Sequence, residues 1–563
     1  MLKKRAVYTV TILFLIPALV LVCRLGWLQI FQHREMVALA DKQQVKTVEI
    51  TTPRRGMVLD RNGEAITNEE EAPAVLVFPS LISEPEATAQ ALAEALSLDA
   101  AALSGKIAGE NSQGEILRYQ PFYAKTSLTA QETDAVEALE LQGVFTVEHQ
   151  GRYLRDTPLV HTLGSLGQVS REDILKNKVS KDYEIGDIVG LSGLERIYED
   201  ILKGTGGKGF GVVVDEKNRA IDKNSYYVFP NEGEETKAKV ELTVDLGLQR
   251  CLEEALSQTN GAGVILDSAN GDVLAMASSP KYDPTYLTAP DLDDAYVNKC
   301  LSSYPPASLF KIFVTAVGLE QGVVSQNTPV VCNGSYTLSN GREIHCWQED
   351  GHGLMTFSQA LAQSCNPVYI DLILKIGAKA LSQAFEEWEL DQDILLGYPL
   401  GELSSLEAAK SQSQLANEVL GEEGVLMTPV NIAKAINVIA SGGYLTTPRL
   451  VTAVYDSEGK IERTYPSALT KRVISADTAE AVKEMMVKTF TIGTGASLAL
   501  DGSGIAGKTG SSETGNVWIG GFWPGDDPRY TIVILVEGGS SGVGDAGPIL
   551  KKVVGYLGAL VED

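Results

Sequence analysis

Ser308 and Lys311 stand three residues apart in Tyr304-Pro305-Pro306-Ala307-Ser308-Leu309-Phe310-Lys311-Ile312-Phe313-Val314. The two prolines stop whatever precedes them, and an apolar run with helical spacing follows. The spacing therefore predicts a helix that carries both side chains on one face. Serine is a weak nucleophile at its own pKa and needs a base to take its proton. Lysine can be that base only where burial or neighbouring charge favours its neutral form. Leu309, Phe310, Ile312, Phe313 and Val314 would bury the first turns and supply that setting. By itself the pair proves little, because both residues are common.

Two further groups give the pair partners. Ser364-Cys365-Asn366 ends an apolar-periodic segment just before Pro367; a hydroxyl and an amide two residues apart can both face a cleft from a turn. Lys508-Thr509-Gly510-Ser511 follows Ile505-Ala506-Gly507 and can lie along a strand, where Gly510 would let a substrate backbone approach closely. Each triplet alone is weak and is more often a surface turn or a strand edge. In this order, downstream of Ser308 and Lys311, coincidence is improbable.

The elements that must hold these groups are legible around them. Val240 to Thr243 reads as a strand, with Asp245 capping a helix from Leu246 to Ser257. Gly263 to Asp267 and Val273 to Ala277 flank an Asn270-Gly271 turn and form a hairpin of buried strands. Val517 to Phe522 and Tyr530 to Val536 form a second hairpin, and Pro548 to Leu557 a closing helix. Strands at both ends with helices between predict a sheet whose edges come from both termini, faced by a helical region. Upstream, Asn62-Gly63 signals a hairpin turn. Glu86 to Leu96 and Thr129 to Leu141 are helical, with Thr129 and Glu132 in a capping-box pattern. None of this upstream region pairs a nucleophile with a base, so it reads as scaffold or docking surface.

The 563 residues suffice for two to four domains, and 44% hydrophobic with 21% charged residues is the balance of a folded chain. A net charge of -26 argues against a nucleic-acid partner. Lys3, Lys4 and Arg5 precede an apolar run from Val7 to Cys23, extendable past Arg24 to Trp27. It meets the roughly 20 residues that a membrane span needs. It is too long for a cleaved signal, and its flanking charge keeps the N-terminus in the cytoplasm and the body outside. A polar helix is expected from Phe31 to Val45, and a linker at Asn231 to Lys237. The histidines show no metal-site spacing, so no cofactor and no catalytic metal are expected. Cys332 and Cys346 flank a glycine-containing loop. A packed or disulfide-linked pair is the preferred reading there, over a zinc site shared with His345 and His352.

With its three motifs in order, the sequence resembles the penicillin-binding proteins and serine β-lactamases. More narrowly it resembles a class B penicillin-binding protein, a monofunctional peptidoglycan transpeptidase, over nearly the whole chain. The anchor, Arg55-Gly56 to Asp60-Arg61-Asn62-Gly63, and Gly193-Leu194-Glu195 to Tyr198-Glu199 match that class's pedestal domain. Gly353, Thr428-Pro429 and Ala440 to Gly443 match its transpeptidase domain. The resemblance implies a multi-domain α+β chain: an anchor over 1–30, a dimerisation or pedestal domain over 31–236, and a transpeptidase domain over 237–563.

It also implies roles. Ser308 would attack the penultimate D-Ala carbonyl of a stem pentapeptide, with Lys311 as base. Ser364 would relay a proton, and Asn366 would hold Lys311 and the substrate amide. Lys508 and Thr509 would bind the substrate carboxylate beside Gly510. The backbone N–H groups of Ser308 and Ser511 would form the oxyanion hole. The expected partners are donor and acceptor stem peptides, β-lactams as covalent inhibitors, and a membrane-embedded glycan polymerase docked on the pedestal. Ala307 departs from the family's usual glycine before the nucleophile, and Ser511 from the commoner threonine. The competing readings are a β-lactamase or D,D-carboxypeptidase, and a non-catalytic scaffold or β-lactam sensor.

Overall fold

The computed structural model describes residues 49–52, 54–67, 71–108, 121–169, 183, 187–204, 208–212, 226–230, 236–285, 294–467, 469–498 and 504–562, with 15, 19–22, 24 and 27. The expected anchor lies mostly outside these residues, and the expected polar helix at 31–45 and most of the linker lie outside them too. Among the described residues, no helix is long and apolar enough to cross a membrane.

The C-terminal part is built on a five-stranded antiparallel sheet. Its strand order is Val273–Ser279, Gly261–Asp267, Tyr530–Val536, Val517–Trp523, Ala506–Ser511. The first two strands and the last three come from opposite ends of the sequence, as the patterning predicts. Gly271 takes a φ of 77° in the turn of the first hairpin, a conformation glycine reaches without a Cβ clash. Strand periodicity sorts the side chains to two faces. Ile532, Ile534 and Val536 pack against the helices Leu246–Leu256 and Gly547–Glu562. Val533 and Leu535 enter the larger core on the other face, with Phe310, Phe313, Ile436 and Val438. Asp245 caps the first of those helices by accepting the N–H of Leu248 at 3.0 Å.

The helix Phe310–Glu320 is buried at every position from Phe310 to Gly318. A helix apolar all round belongs to a core, not a surface. Lys311 is the one ionisable residue in that run, and the core holds its stem in place.

The N-terminal part has its own core around a sheet of Phe122–Lys125, Glu71–Val77 and Val144–Gln150, covered by Pro85–Leu96, Ala100–Ala108 and Ala130–Ala138. Thr129 and Glu132 make the expected capping box. Asn62-Gly63 makes a turn but not a two-stranded hairpin. The Asp60 carboxylate accepts the N–H groups of Asn62 and Glu64 at 2.7 and 2.8 Å, and pairing stops after one bridge, Leu59 to Ala65. Met57–Leu59 instead pairs in parallel with Lys239–Leu242, which also pairs with Val451–Tyr455. That sheet joins the two parts of the chain.

Behind this joint lies a buried ionic hub. Glu195 is fully buried and accepts from Arg55 at 2.8 Å, from Arg152, and from the Tyr153 hydroxyl at 2.9 Å. Burial would raise the Glu195 pKa, but Arg152 and Arg55 outweigh it and hold the carboxyl below its ordinary value. Arg55 also reaches Glu199 at 2.7 Å. Arg55, Glu195 and Glu199 belong to the two N-terminal stretches singled out in the sequence, and their observed work is structural.

Candidate active site

Ala307–Leu309 forms one 3-10 turn that runs directly into the helix Phe310–Glu320. Ser308 is partly exposed on that turn, while Lys311, one helical turn on, is fully buried. The Lys311 Nζ donates to Asn366 Oδ1 at 2.6 Å and to the Ser364 carbonyl at 3.1 Å. The Ser364 hydroxyl lies 3.3 Å away. A hydroxyl can turn its hydrogen either way, so it can also donate to the lone pair of a neutral lysine. The Tyr369 ring centroid is 5.3 Å from Nζ, closing the pocket with an aromatic face.

Backbone geometry explains how both reach the cleft. Ser364 has a φ of 53° between the helices Phe357–Ala362 and Asn366–Ile376, so its carbonyl and its hydroxyl both turn toward Lys311. Ala307, before the nucleophile, has a φ of 48°. Left-handed conformations cost an L-residue roughly 1–2 kcal/mol. That cost is the physical reason a glycine suits this position and the reason Ala307 is a strained departure.

Burial pushes Lys311 down to about 8, with Cys365, Cys346 and Glu422 pulling the other way. Burial lowers this pKa, as the apolar residues around Lys311 in the sequence predict. Lys508 is itself fully buried, and burial followed by the charge of Lys311 puts it well below its ordinary value. Its Nζ donates to the Thr509 carbonyl at 2.7 Å on the strand Ala506–Ser511.

That strand closes the cleft. A Cβ on Gly510 would come within 3.0 Å of Leu309 Cδ1 and 3.3 Å of the Ser308 nitrogen, so glycine lets the strand lie against the nucleophile turn. Thr509 Oγ1 pairs with Thr494 Oγ1 at 2.6 Å, and Ser511 ends the strand exposed. The fold thus brings the three separated groups to one place. Sequence reasoning missed Thr494, Tyr369 and Glu422, whose roles depend on tertiary contact and leave no local spacing signal.

Cys365, between Ser364 and Asn366, opens a second feature. Its sulfur, those of Cys332 and Cys346, and a ring nitrogen of His352 all lie within 4.8 Å of one another. The three thiols are buried and none of them is in a disulfide. The Cys346 sulfur is 3.5 Å from His352 Nδ1, and His352 Nε2 is buried without a hydrogen-bond partner. Three thiols and an imidazole fit a closed tetrahedral Zn2+ site, a structural type with no open position. The sequence reading favoured a packed or bridged pair and weighed His345. The fold instead leaves His345 exposed and adds Cys365, which is distant in sequence. Metal analysis of protein purified under reducing conditions is expected to find one Zn2+ per chain. Cys332→Ser and Cys346→Ser are expected to lose it. Less than a tenth of a Zn2+ per chain would show that the four side chains only pack.

Comparison with known proteins agrees with this geometry. Residues 261–555 match the penicillin binding protein transpeptidase domain, and residues 50–236 the penicillin-binding protein dimerisation domain. The chain belongs to the penicillin-binding protein family, in its class B. It is 27% identical over 578 residues to stage V sporulation protein D of Bacillus subtilis (strain 168), covering 99% of this chain and 85% of that one. It is 24% identical over 592 residues to the peptidoglycan D,D-transpeptidase MrdA of Escherichia coli (strain K12), covering 96% and 91%. In fold it is similar to the crystal structure of the D,D-transpeptidase domain of a peptidoglycan glycosyltransferase from Eggerthella lenta. That likeness has a TM-score of 0.60 at 22% identity, over 90% of this chain and 100% of that one.

Proposed function

We infer that Ser308 is the acyl-accepting nucleophile of a peptidoglycan D,D-transpeptidase that β-lactams inhibit by acylating the same serine. The observation that carries this is the Lys311 Nζ, buried, partly discharged, and held by Asn366 and Ser364 one helical turn from Ser308. Neutral Lys311 takes the Ser308 proton as Oγ attacks the penultimate D-Ala carbonyl. Ser364 passes a proton to the departing D-Ala amine, and Asn366 holds Lys311 and the substrate amide. The N–H groups of Ser308 and Ser511 receive the developing oxyanion, each donor worth roughly 3 kcal/mol. The Thr509 hydroxyl meets the substrate carboxylate. Lys508, its neighbour on the strand, binds that carboxylate with it. An amine of a second stem peptide then displaces Ser308 and completes the cross-link.

The apolar run after Lys3, Lys4 and Arg5 supports a single-pass anchor over 1–30 with the catalytic part outside the cell. The match over 50–236 supports reading 31–236 as a pedestal, on which a membrane-embedded glycan polymerase docks, and 237–563 as the transpeptidase domain. Incubation with a pentapeptide ending in D-Ala-D-Ala and an amine-bearing acceptor is expected to release one D-Ala per cross-link formed. Release of D-Ala with only hydrolysed product, at saturating acceptor, would favour the carboxypeptidase reading.

A further inference from the structure

The cleft holds one carboxyl that the steps above do not use. Glu422 lies on the turn between the helix Gln412–Leu420 and the strand Val425–Leu426. That turn is clamped to the residue before the nucleophile: the Ala307 N–H donates to the Gly421 carbonyl at 2.8 Å. The approach is so close that a Cβ on Gly421 would fall 2.0 Å from the Ala307 oxygen. From there Glu422 reaches across to the third motif, where its Oε2 accepts the backbone N–H of Glu513 at 3.3 Å. The side chain is half-buried and therefore sits at the cleft's edge, within reach of solvent and substrate.

We propose that Glu422 receives the amine of the acceptor stem peptide and takes its proton before that amine attacks the acyl-enzyme. An acceptor amine arrives protonated at neutral pH, and an ammonium has no lone pair to attack with. Lys311 is committed to the Ser308 oxygen and cannot also discharge the nucleophile. Glu422 does so as R–NH3+ and carboxylate become R–NH2 and carboxylic acid. The amine nitrogen then bonds to the acyl carbon, the bond from that carbon to Ser308 Oγ breaks, and one of the two remaining amine protons passes through Lys311 to Oγ while the other stays on the new amide. The carboxylic acid returns its proton to water. The surroundings suit this task. Burial and the charge of Glu513, from the turn after the third motif, push Glu422 up to about 7, while the hydrogen bond from the Glu513 N–H and the charge of Lys311 from the nucleophile helix oppose the rise. A base poised near the working pH combines availability with strength.

The proposal rests on the transpeptidase reading, and the test separates the two. The full chain and its E422Q variant are first titrated with labelled penicillin, which counts competent active sites. Glutamine can still accept the Glu513 N–H but cannot take a proton. Per competent site, E422Q is expected to lower cross-linking to an aliphatic amine acceptor at least tenfold at pH 7. Turnover with hydroxylamine, which is neutral at that pH, should change less than twofold. In E422Q aminolysis should instead keep rising with pH well above 7, tracking the free-amine form of the acceptor. Equal losses with both nucleophiles, or no loss with either, would overturn the role of Glu422. Absence of penicillin labelling in the unaltered chain would overturn the transpeptidase reading itself.

Discussion

Lys311→Met is expected to slow acylation of Ser308 by a β-lactam at least about 10³-fold, within the range for loss of a general base. Methionine keeps the length and apolar stem of lysine, so the helix Phe310–Glu320 should pack as before. The unaltered chain should show acylation rising with pH and levelling above about 8, because Lys311 is pushed down to that value and is the active base only when neutral. At pH 7 about a tenth of the molecules hold it neutral. The sign follows from burial, which favours the uncharged form, so falling pH removes base. In Lys311→Met this limb should disappear along with the rate. Stopped-flow acylation with a chromogenic cephalosporin measures both, and a variant with unchanged rate would remove Lys311 from the chemistry.

Glu195→Ala is expected to be the most damaging substitution outside the cleft. It removes the carboxylate that receives Arg152 and one of the two that receive Arg55, both almost fully buried. Breaking a buried pair by deleting one partner costs about 3–5 kcal/mol. The loss should appear as an earlier first transition in urea unfolding. The chain carries more than one core, so a single unfolding midpoint does not describe it. The pH dependence provides a second check. The Glu195 pKa is depressed in the folded chain, so its stabilisation is complete above the ordinary carboxylate value of 4.5 and is lost as pH falls through the lower folded value. Glu195→Ala should lack that acid-side loss. An unfolding curve matching the unaltered chain would mean that the hub only fills space.

What the sequence made readable was local. The Asn270-Gly271 hairpin, the Asp245 cap, the Thr129 capping box and the two closing strands each rest on a few neighbouring residues, and each is present. Ser308, Lys311, Ser364, Asn366 and Lys508 through Ser511 were found as three short groups, and the fold brings those groups together. What escaped depends on distance. Met57–Leu59 finds its partner 182 positions on, at Lys239–Leu242, because Asp60 ties off the local turn first. Cys365 joins Cys332, Cys346 and His352 only once the helix Asn366–Ile376 is docked. The conformations of Ala307 and Ser364 are set by the packing around them, since neither residue type favours positive φ. The state of Lys508 escaped for a related reason: the motif supplies a lysine, and burial decides whether it is a cation.

The most direct measurement is the site of covalent penicillin attachment. Purified protein treated with benzylpenicillin should gain one adduct by intact mass, and peptide mapping should place it on Ser308. Ser308→Ala should gain none while remaining folded by circular dichroism. An adduct on any other residue, or one retained by Ser308→Ala, would contradict Ser308 as the nucleophile.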